Sequence, residues 1–270
     1  MKTVLITGAT DGVGRVVAKR LAAEGWRVLA HGRSVERGQS LLREIDGAGG
    51  KATFLPADLA SLAAVRQLAE DVQEQTDNLP LLINNAGVGS VGAAPGRQAS
   101  ADGHELRFAV NYLSGFLLTR LLLPLVKAST PARIVNVSSA GQQAIDFDDV
   151  MLTRGYSGTR AYCQSKLAQI LFTIDLAEEL KSSAITVNCL HPSTYMNTTM
   201  VRQSGTTPMS NVETGADAIM RLAVSSELED RSGLYFNVMT EARPNAQAAD
   251  PKARAKLRKI SLELTGLMSP

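Results

Sequence analysis

Tyr162 and Lys166 stand four residues apart in a segment with helical spacing, which puts both side chains on one face. A free tyrosine titrates near pH ~10 and is a poor acid or base at neutral pH. An ammonium a few ångström away favours the phenolate and lowers that value, so the pair suits general acid–base work. Such pairs occur by chance in any helix. This one gains weight from Ser139, which ends an apolar run in Asn136-Val137-Ser138-Ser139 and lies 23 residues before Tyr162. A hydroxyl there can bond an oxygen on which negative charge develops, although Ser138 competes for the role. Asn111 sits inside a long apolar helical segment, 106–126, where an amide is costly unless bonded.

A second group of residues is built for phosphate. Thr7-Gly8-Ala9-Thr10-Asp11-Gly12-Val13-Gly14 follows a short apolar strand and leads straight into a helical pattern. Gly8 permits the tight turn, Gly12 lets the backbone approach a pyrophosphate, and Gly14 lets helix and strand pack closely. The free N–H groups of the helix start then face the anion. The complete strand–loop–helix context predicts a dinucleotide site. The next strand ends in His31-Gly32-Arg33-Ser34. A carboxylate in this place would hold a ribose 2′-hydroxyl; Gly32 followed by Arg33 suits a 2′-phosphate instead, so NADP(H) is expected, with NAD(H) as the alternative. Arg33 is otherwise a solvated surface arginine.

These residues need a frame to hold them. Apolar runs at 4–7, 27–30, 53–55, 81–84, 133–137, 186–190 and 234–237 are mostly unbroken rather than alternating, as strands covered on both faces should be. Helical stripes lie between them, for example at 13–24 and at 61–74, where Ser61 is the expected N-cap. The reading is α/β: a single doubly wound Rossmann domain, seven strands in a mainly parallel sheet, helices on both faces. The 270 residues then form one unit, with a lid at 193–211 and a carboxyl-terminal extension at 240–270. Another long irregular connection is expected at 146–160.

Taken together, Thr7-Gly8-x-x-x-Gly12-x-Gly14, Asn84-Asn85-Ala86-Gly87, Asn111, Ser139 and Tyr162-x-x-x-Lys166 resemble the short-chain dehydrogenase/reductase family. The stretches Val110-Asn111-Tyr112-Leu113-Ser114-Gly115-Phe116, Ile145-Asp146-Phe147-Asp148-Asp149, Tyr162-Cys163-Gln164-Ser165-Lys166 and Leu190-His191-Pro192 look like its retinol-dehydrogenase-like branch. The resemblance implies hydride transfer between a nicotinamide and a carbonyl or alcohol. It implies Ser139 polarising the oxygen, Tyr162 as acid/base, Lys166 holding tyrosine and ribose, and Asn111 holding a relay water. It also implies that Asp58 and Leu59 border the adenine, that Asn85, Ala86 and Gly87 let the ribose approach, and that Pro192 and Thr194 lie by the carboxamide. Asp58 is equally readable as a cap for the helix near Ser61. Three departures stand out: Pro80 replaces the usual Asp before the Asn-Asn-Ala-Gly motif, Ser193 replaces a glycine, and the glycine loop carries Asp11 where NADP-preferring members often carry a cation.

The lid offers Tyr195, Met196 and Met200 as a soft apolar lining, and Arg202 reads as a solvated loop residue, so an uncharged aldehyde or ketone is expected. His191 reads as a strand-closing residue and Cys163 as packing. A net charge of +2 excludes a broad basic field for nucleic acid. The cations Lys252, Arg254, Lys256, Arg258 and Lys259 read as one solvated helix face. Two cysteines are too few for a disulfide framework, and no apolar run reads as a span or leader, so a reducing, cytoplasmic setting is expected. The apolar helices 106–126 and 161–180 suggest a homodimer or homotetramer, as in the family. A catalytically silent, cofactor-binding redox sensor is the rival function; it would typically lack the tyrosine or lysine.

Overall fold

Strands read as unbroken apolar runs ought to be buried on both faces, and every residue of β1 (Thr3–Ile6) is. The computed structural model describes residues 1–90 and 96–267. From β1 the sheet grows both ways through β2 (Arg27–Gly32), β3 (Lys51–Pro56), β4 (Leu81–Asn84), β5 (Ala132–Val137), β6 (Ile185–His191) and β7 (Tyr235–Asn237), all parallel. The order is β3-β2-β1-β4-β5-β6-β7-β8, where β8 (Thr240–Glu241) is antiparallel. Seven strands were expected; the eighth is a two-residue hairpin arm with both residues exposed, too short and polar to leave a pattern. The order reverses beside β1, so the crevice between the ends of β1 and β4 is the switch point where such sheets bind ligands.

The helices divide between the two faces. On one side, α1 (Gly12–Ala23), α2 (Val35–Gly47) and α8 (Val212–Val224) bury Val17, Leu21, Leu41 and Ile219. On the other, α3 (Leu62–Gln75) is capped by Ser61, as expected, which accepts from the Ala64 N–H at 3.3 Å. Next to it runs one rod, Leu106–Ala128, made of α4 (Leu106–Phe108), a π-helical turn (Ala109–Leu113) and α5 (Ser114–Ala128). α6 (Gly158–Glu179) completes this layer, a short α7 (Thr199–Gln203) lies in the lid, and α9 (Pro251–Thr265) ends the chain.

Two expectations change here. Within the 23-residue rod Leu106–Ala128, an 18-residue window has mean hydropathy 1.5 and makes the rod long and apolar enough to cross a bilayer. It is 72% buried, with Phe116, Leu117 and Leu122 in the core, so its apolarity is already accounted for by packing. α9 packs on α6 and so covers part of the face through which two-fold pairing was expected. Tyr112 and Ser261 share a buried hydrogen bond of 2.6 Å, and Arg258 pairs with Asp175 at 3.1 Å. Of the terminal cations, Lys252, Lys256 and Lys259 are exposed, with Lys256 3.8 Å from Asp148, while Arg258 faces Asp175.

Candidate active site

The glycine loop is held by interlocking hydrogen bonds between the ends of β1 and β4. Asn85 Nδ2 donates to the Thr7 and Gly8 carbonyls at 2.9 and 3.1 Å, while Thr7 Oγ1 accepts from the Asn85 and Ala86 N–H groups at 2.9 and 3.0 Å. Gly8 and Gly12 have φ of +66° and +53°, which favours glycine. A Cβ at Gly14 would collide with the Gly8 carbonyl and Asn85. Asp11 caps α1, accepting from the Gly12 N–H at 2.7 Å. Val13 and Thr10 are buried beneath the loop. The cradle therefore fits a dinucleotide: bare backbone and an open helix start at the switch point.

At the end of β2, a Cβ on Gly32 would stand 2.5 Å from the Thr10 side chain, so a carboxylate there is blocked by packing. Arg33 is exposed and has no hydrogen-bond or ion-pair partner among the described residues. Ser34 caps α2, accepting from the Arg37 N–H at 3.2 Å. Arg37 was not anticipated from the sequence: one turn into α2, its guanidinium reaches back to 3.4 Å from Asp11 Oδ2. The acid in the glycine loop is thus offset by a cation from the next helix.

His31, likewise unforeseen, ties this corner together. Its Nδ1 accepts from the Gly8 N–H at 3.2 Å and its Nε2 donates to the Ala57 carbonyl at 3.1 Å, an arrangement only the neutral ring satisfies. Burial, followed by the nearby Arg33, lowers its pKa to about 4. The unfolded chain takes up a proton below about pH 6.5 that the folded chain refuses until about pH 4. This stabilisation is complete above pH ~6.5 and declines by about 2–3 kcal/mol as the pH falls to about 4.5. Urea midpoints of the wild type should show that slope. His31→Gln, which keeps an acceptor and a donor but does not titrate, should flatten it; parallel slopes would refute the assignment.

After β3, Leu59 is a core residue, and Asp58 is exposed with Oδ1 accepting from the Ala60 N–H at 3.0 Å. Since Ser61 caps α3, Asp58 only closes the preceding turn and leaves its second oxygen to the crevice. After β4, a Cβ on Gly87 would lie 3.2 Å from Asn111 Oδ1 and 3.4 Å from Lys166 Nζ, so glycine keeps both reachable.

Beyond β5, the two serines separate. Ser138 donates to the Lys166 carbonyl at 2.7 Å and is buried structure. Ser139 Oγ accepts from the Gly141 N–H at 3.0 Å and stands near the Tyr162 phenol, where it favours loss of the phenol's proton. Ser157 caps α6, which brings Lys166 to the carboxyl end of β5 with Tyr162 one turn before it. Lys166 Nζ lies 5.9 Å from the Tyr162 ring centre and donates to the Val137 carbonyl at 2.9 Å and Gln169 Oε1 at 3.0 Å. Burial alone lowers Lys166 to about 7. The expected depression of the tyrosine is not realised. Burial pushes the Tyr162 phenol above its ordinary value, Ser139 only partly opposes this, and the ammonium is turned toward Val137 and Gln169.

Asn111 sits in the π-turn. Its Oδ1 accepts from the Val88 N–H at 2.7 Å, and its Nδ2 donates to the Val88 carbonyl and Ser165 Oγ at 3.1 and 2.9 Å. The amide is a clasp between the loop after β4 and α6, so a relay water held by this residue would have to use its other atoms. Two turns earlier lies a cluster the sequence gave no sign of. Buried Arg107 and Glu105 pair at 3.4 Å, both bond the Tyr156 hydroxyl, and Arg107 donates to the Gly89 and Ser90 carbonyls. It locks the 146–160 connection and the loop after β4 onto the helix that carries Asn111.

The lid closes over the phosphate loop. Pro192 is buried; Thr194 is exposed and hydrogen-bonded to His191 Nε2 at 3.1 Å, so it closes β6. Thr198 instead lies over the glycine loop, where a Cβ on Gly12 would stand 3.1 Å from its methyl. Tyr195 is 51% exposed with φ 43°, and Met200 packs on Gly89 at the mouth of the site. Met196 does not line that mouth: its sulfur is wedged against Gly215 of α8, in the packing that seats the lid. Arg202 donates to Asn197 within the lid at 2.7 Å. Among the described residues no group of three or more His, Cys, Asp or Glu could hold a metal ion.

Residues 2–208 match the family model described as short chain dehydrogenase. The chain is 37% identical to Retinol dehydrogenase 13 of Homo sapiens, across 100% of this chain and 86% of that one. The crystal structure of an uncharacterized protein from Mycobacterium paratuberculosis superposes with a TM-score of 0.82 at 28% identity, covering 100% and 95% of the two chains. The Pseudomonas aeruginosa RhlG/NADP active-site complex gives 0.70 at 28%, covering 88% and 94%.

Proposed function

The chain belongs to the short chain dehydrogenase family, in its retinol-dehydrogenase-like branch, and from that premise we propose that it passes a hydride between NADP(H) and an uncharged aldehyde or ketone, with Tyr162 as acid/base. The observation that carries this reading is the Tyr162 phenol, grouped with Ser139 and Lys166 and set near a glycine cradle at the switch point. A bound nicotinamide supplies the hydride. Ser139 then polarises the substrate oxygen, and the Tyr162 phenol, kept protonated by burial, donates to it as charge develops. The tyrosinate left behind is stabilised by the Lys166 ammonium, which lies beside Gly87. Asn111 fixes the loop after β4 against α6, so that Gly87 and Lys166 keep their separation. Preference for NADP(H) is supported by Gly32, by the unpaired Arg33 and by the neutralised Asp11.

The lid supports an uncharged substrate, because Tyr195 and Met200 are apolar and exposed and Arg202 is engaged with Asn197. The test is purified protein with NADPH or NADH and a panel of aldehydes, ketones and carboxylated analogues, followed by nicotinamide absorbance. NADPH oxidation with the uncharged apolar members supports the reading. Silence across the panel in both directions overturns it and favours a redox sensor.

A further inference from the structure

Beneath the crevice, between β4, the π-turn and α6, lies a small cavity lined in part by Asn84, Asn111, Ser114, Gly115 and Gln169, with room for one water molecule. A directed chain of hydrogen bonds leaves one acceptor stranded there. Thr173 Oγ1 donates its only proton to the Gln169 carbonyl at 2.8 Å, so it must accept from Asn136 Nδ2, also at 2.8 Å. Asn136 Oδ1 therefore accepts from Asn84 Nδ2 at 2.9 Å, and that amino group also reaches Thr119 at 2.9 Å. Asn84 Oδ1 is left buried without a partner, in a residue 3% exposed. An orphan carbonyl oxygen of this kind costs about 1–3 kcal/mol.

Gln169 supplies the complementary group. Its Oε1 accepts from Lys166 Nζ at 3.0 Å, while its Nε2 has no partner among the described residues. Ser114 donates to the Val110 carbonyl and keeps its lone pairs. A water accepting from Gln169 Nε2 and donating to Asn84 Oδ1 and Ser114 Oγ satisfies all three groups. We propose that this cavity holds one ordered water bridging Asn84 and Gln169, and that Gln169, oriented by it, is a positioning residue for Lys166. The ammonium already selects Oε1 over Nε2, and the water holds the amide from its other end by accepting from Nε2. With it, Oε1 is fixed toward the ammonium. The positioning role rests on the oxidoreductase reading; the water does not.

The other titratable groups facing Lys166 are Tyr162, on its own helix, and His191, at the end of β6. No carboxylate among the described residues offsets the lysine there, so the Gln169 dipole is its principal side-chain acceptor. Three variants of the full chain test the role. Gln169→Leu removes the acceptor and favours the neutral amine. Gln169→Glu adds a charge and favours the ammonium. Gln169→Asn is the conservative control. The pH limb assigned to Lys166, in carbonyl reduction and in fluorescence-detected NADPH titration, should move down by about one unit in Gln169→Leu and up by about one unit in Gln169→Glu. That is about a tenfold change in activity at a fixed pH on the limb, with Gln169→Asn lying nearer the wild type. A purely structural role would lower rates without moving the limb, so limbs coincident with the wild type in folded Gln169→Leu and Gln169→Glu overturn the positioning claim. A crystal structure of the unliganded wild type should show a water bonded to Asn84 Oδ1 and Gln169 Nε2, and an empty cavity overturns the water. If the wild type reduces no carbonyl compound, the oxidoreductase reading fails, while the crystal and the NADPH titration still decide this inference.

Discussion

Tyr162→Phe should give a folded protein that still binds NADPH and turns over about 10³-fold more slowly, the usual range for losing a positioned proton donor being about 10²–10⁴. The substitution removes one oxygen and leaves the ring against Lys166. Ser139 keeps its bond from the Gly141 N–H, so the serine stays in place. The phosphate cradle lies at the ends of β1 and β4 and does not use the phenol. NADPH affinity should therefore stay within about threefold, a change below ~1 kcal/mol. Stopped-flow mixing of enzyme, NADPH and a reducible aldehyde measures both quantities. Turnover within about tenfold of the wild type would remove Tyr162 from the mechanism.

The elevated phenol has a consequence for direction. A tyrosine held above its ordinary value by burial is a proton donor at neutral pH, which is what carbonyl reduction needs. Alcohol oxidation needs the phenolate, and Lys166, lowered by burial to about 7, is only partly charged at neutral pH to support it. Oxidation should consequently gain over reduction only at strongly alkaline pH, where the raised phenol begins to lose its proton, and not just above pH 7, where Lys166 sheds the charge that would support the phenolate.

Much of this site was legible because its constraints are local. Gly14 must be glycine for the space between helix and strand, and Gly8 and Gly12 for their backbone angles; both follow from a strand running into a helix within eight residues. Tyr162 and Lys166 are likewise one helical turn apart. What escaped depends on elements far apart in the chain. Arg37 meets Asp11 across 26 residues, and Tyr156 meets Arg107 across 49. Thr198 rather than Thr194 reaches the glycine loop, because His191 draws Thr194 back to the strand end and the left-handed Tyr195 turns the chain. The expected tyrosine shift failed for a related reason: spacing places two side chains on one face, but the third partner decides where the ammonium points. Here that partner is Gln169.

Arg33→Ala should weaken NADPH binding by about 10–100-fold and leave NADH binding unchanged. The reasoning begins with packing. Thr10 occupies the space a residue-32 side chain would need, so no carboxylate can stand where it would grip a ribose 2′-hydroxyl or repel a 2′-phosphate. The acid of the glycine loop, Asp11, spends one oxygen capping α1 and turns the other toward Arg37. Arg33 is left exposed with its fork of donors unengaged. A hydrogen bond to a charged group contributes about 1.5–3 kcal/mol, and each ~1.4 kcal/mol is tenfold in affinity. NADH lacks the 2′-phosphate and has nothing for this guanidinium to hold. Arg33→Lys separates charge from geometry: a point charge without the planar fork should recover only part of the loss. Fluorescence titration with both cofactors measures the four affinities that decide it. Equal losses for NADPH and NADH in Arg33→Ala would show that the residue supports the loop rather than the phosphate. In that case Arg37, released from Asp11 by an Asp11→Asn substitution, becomes the cation to test.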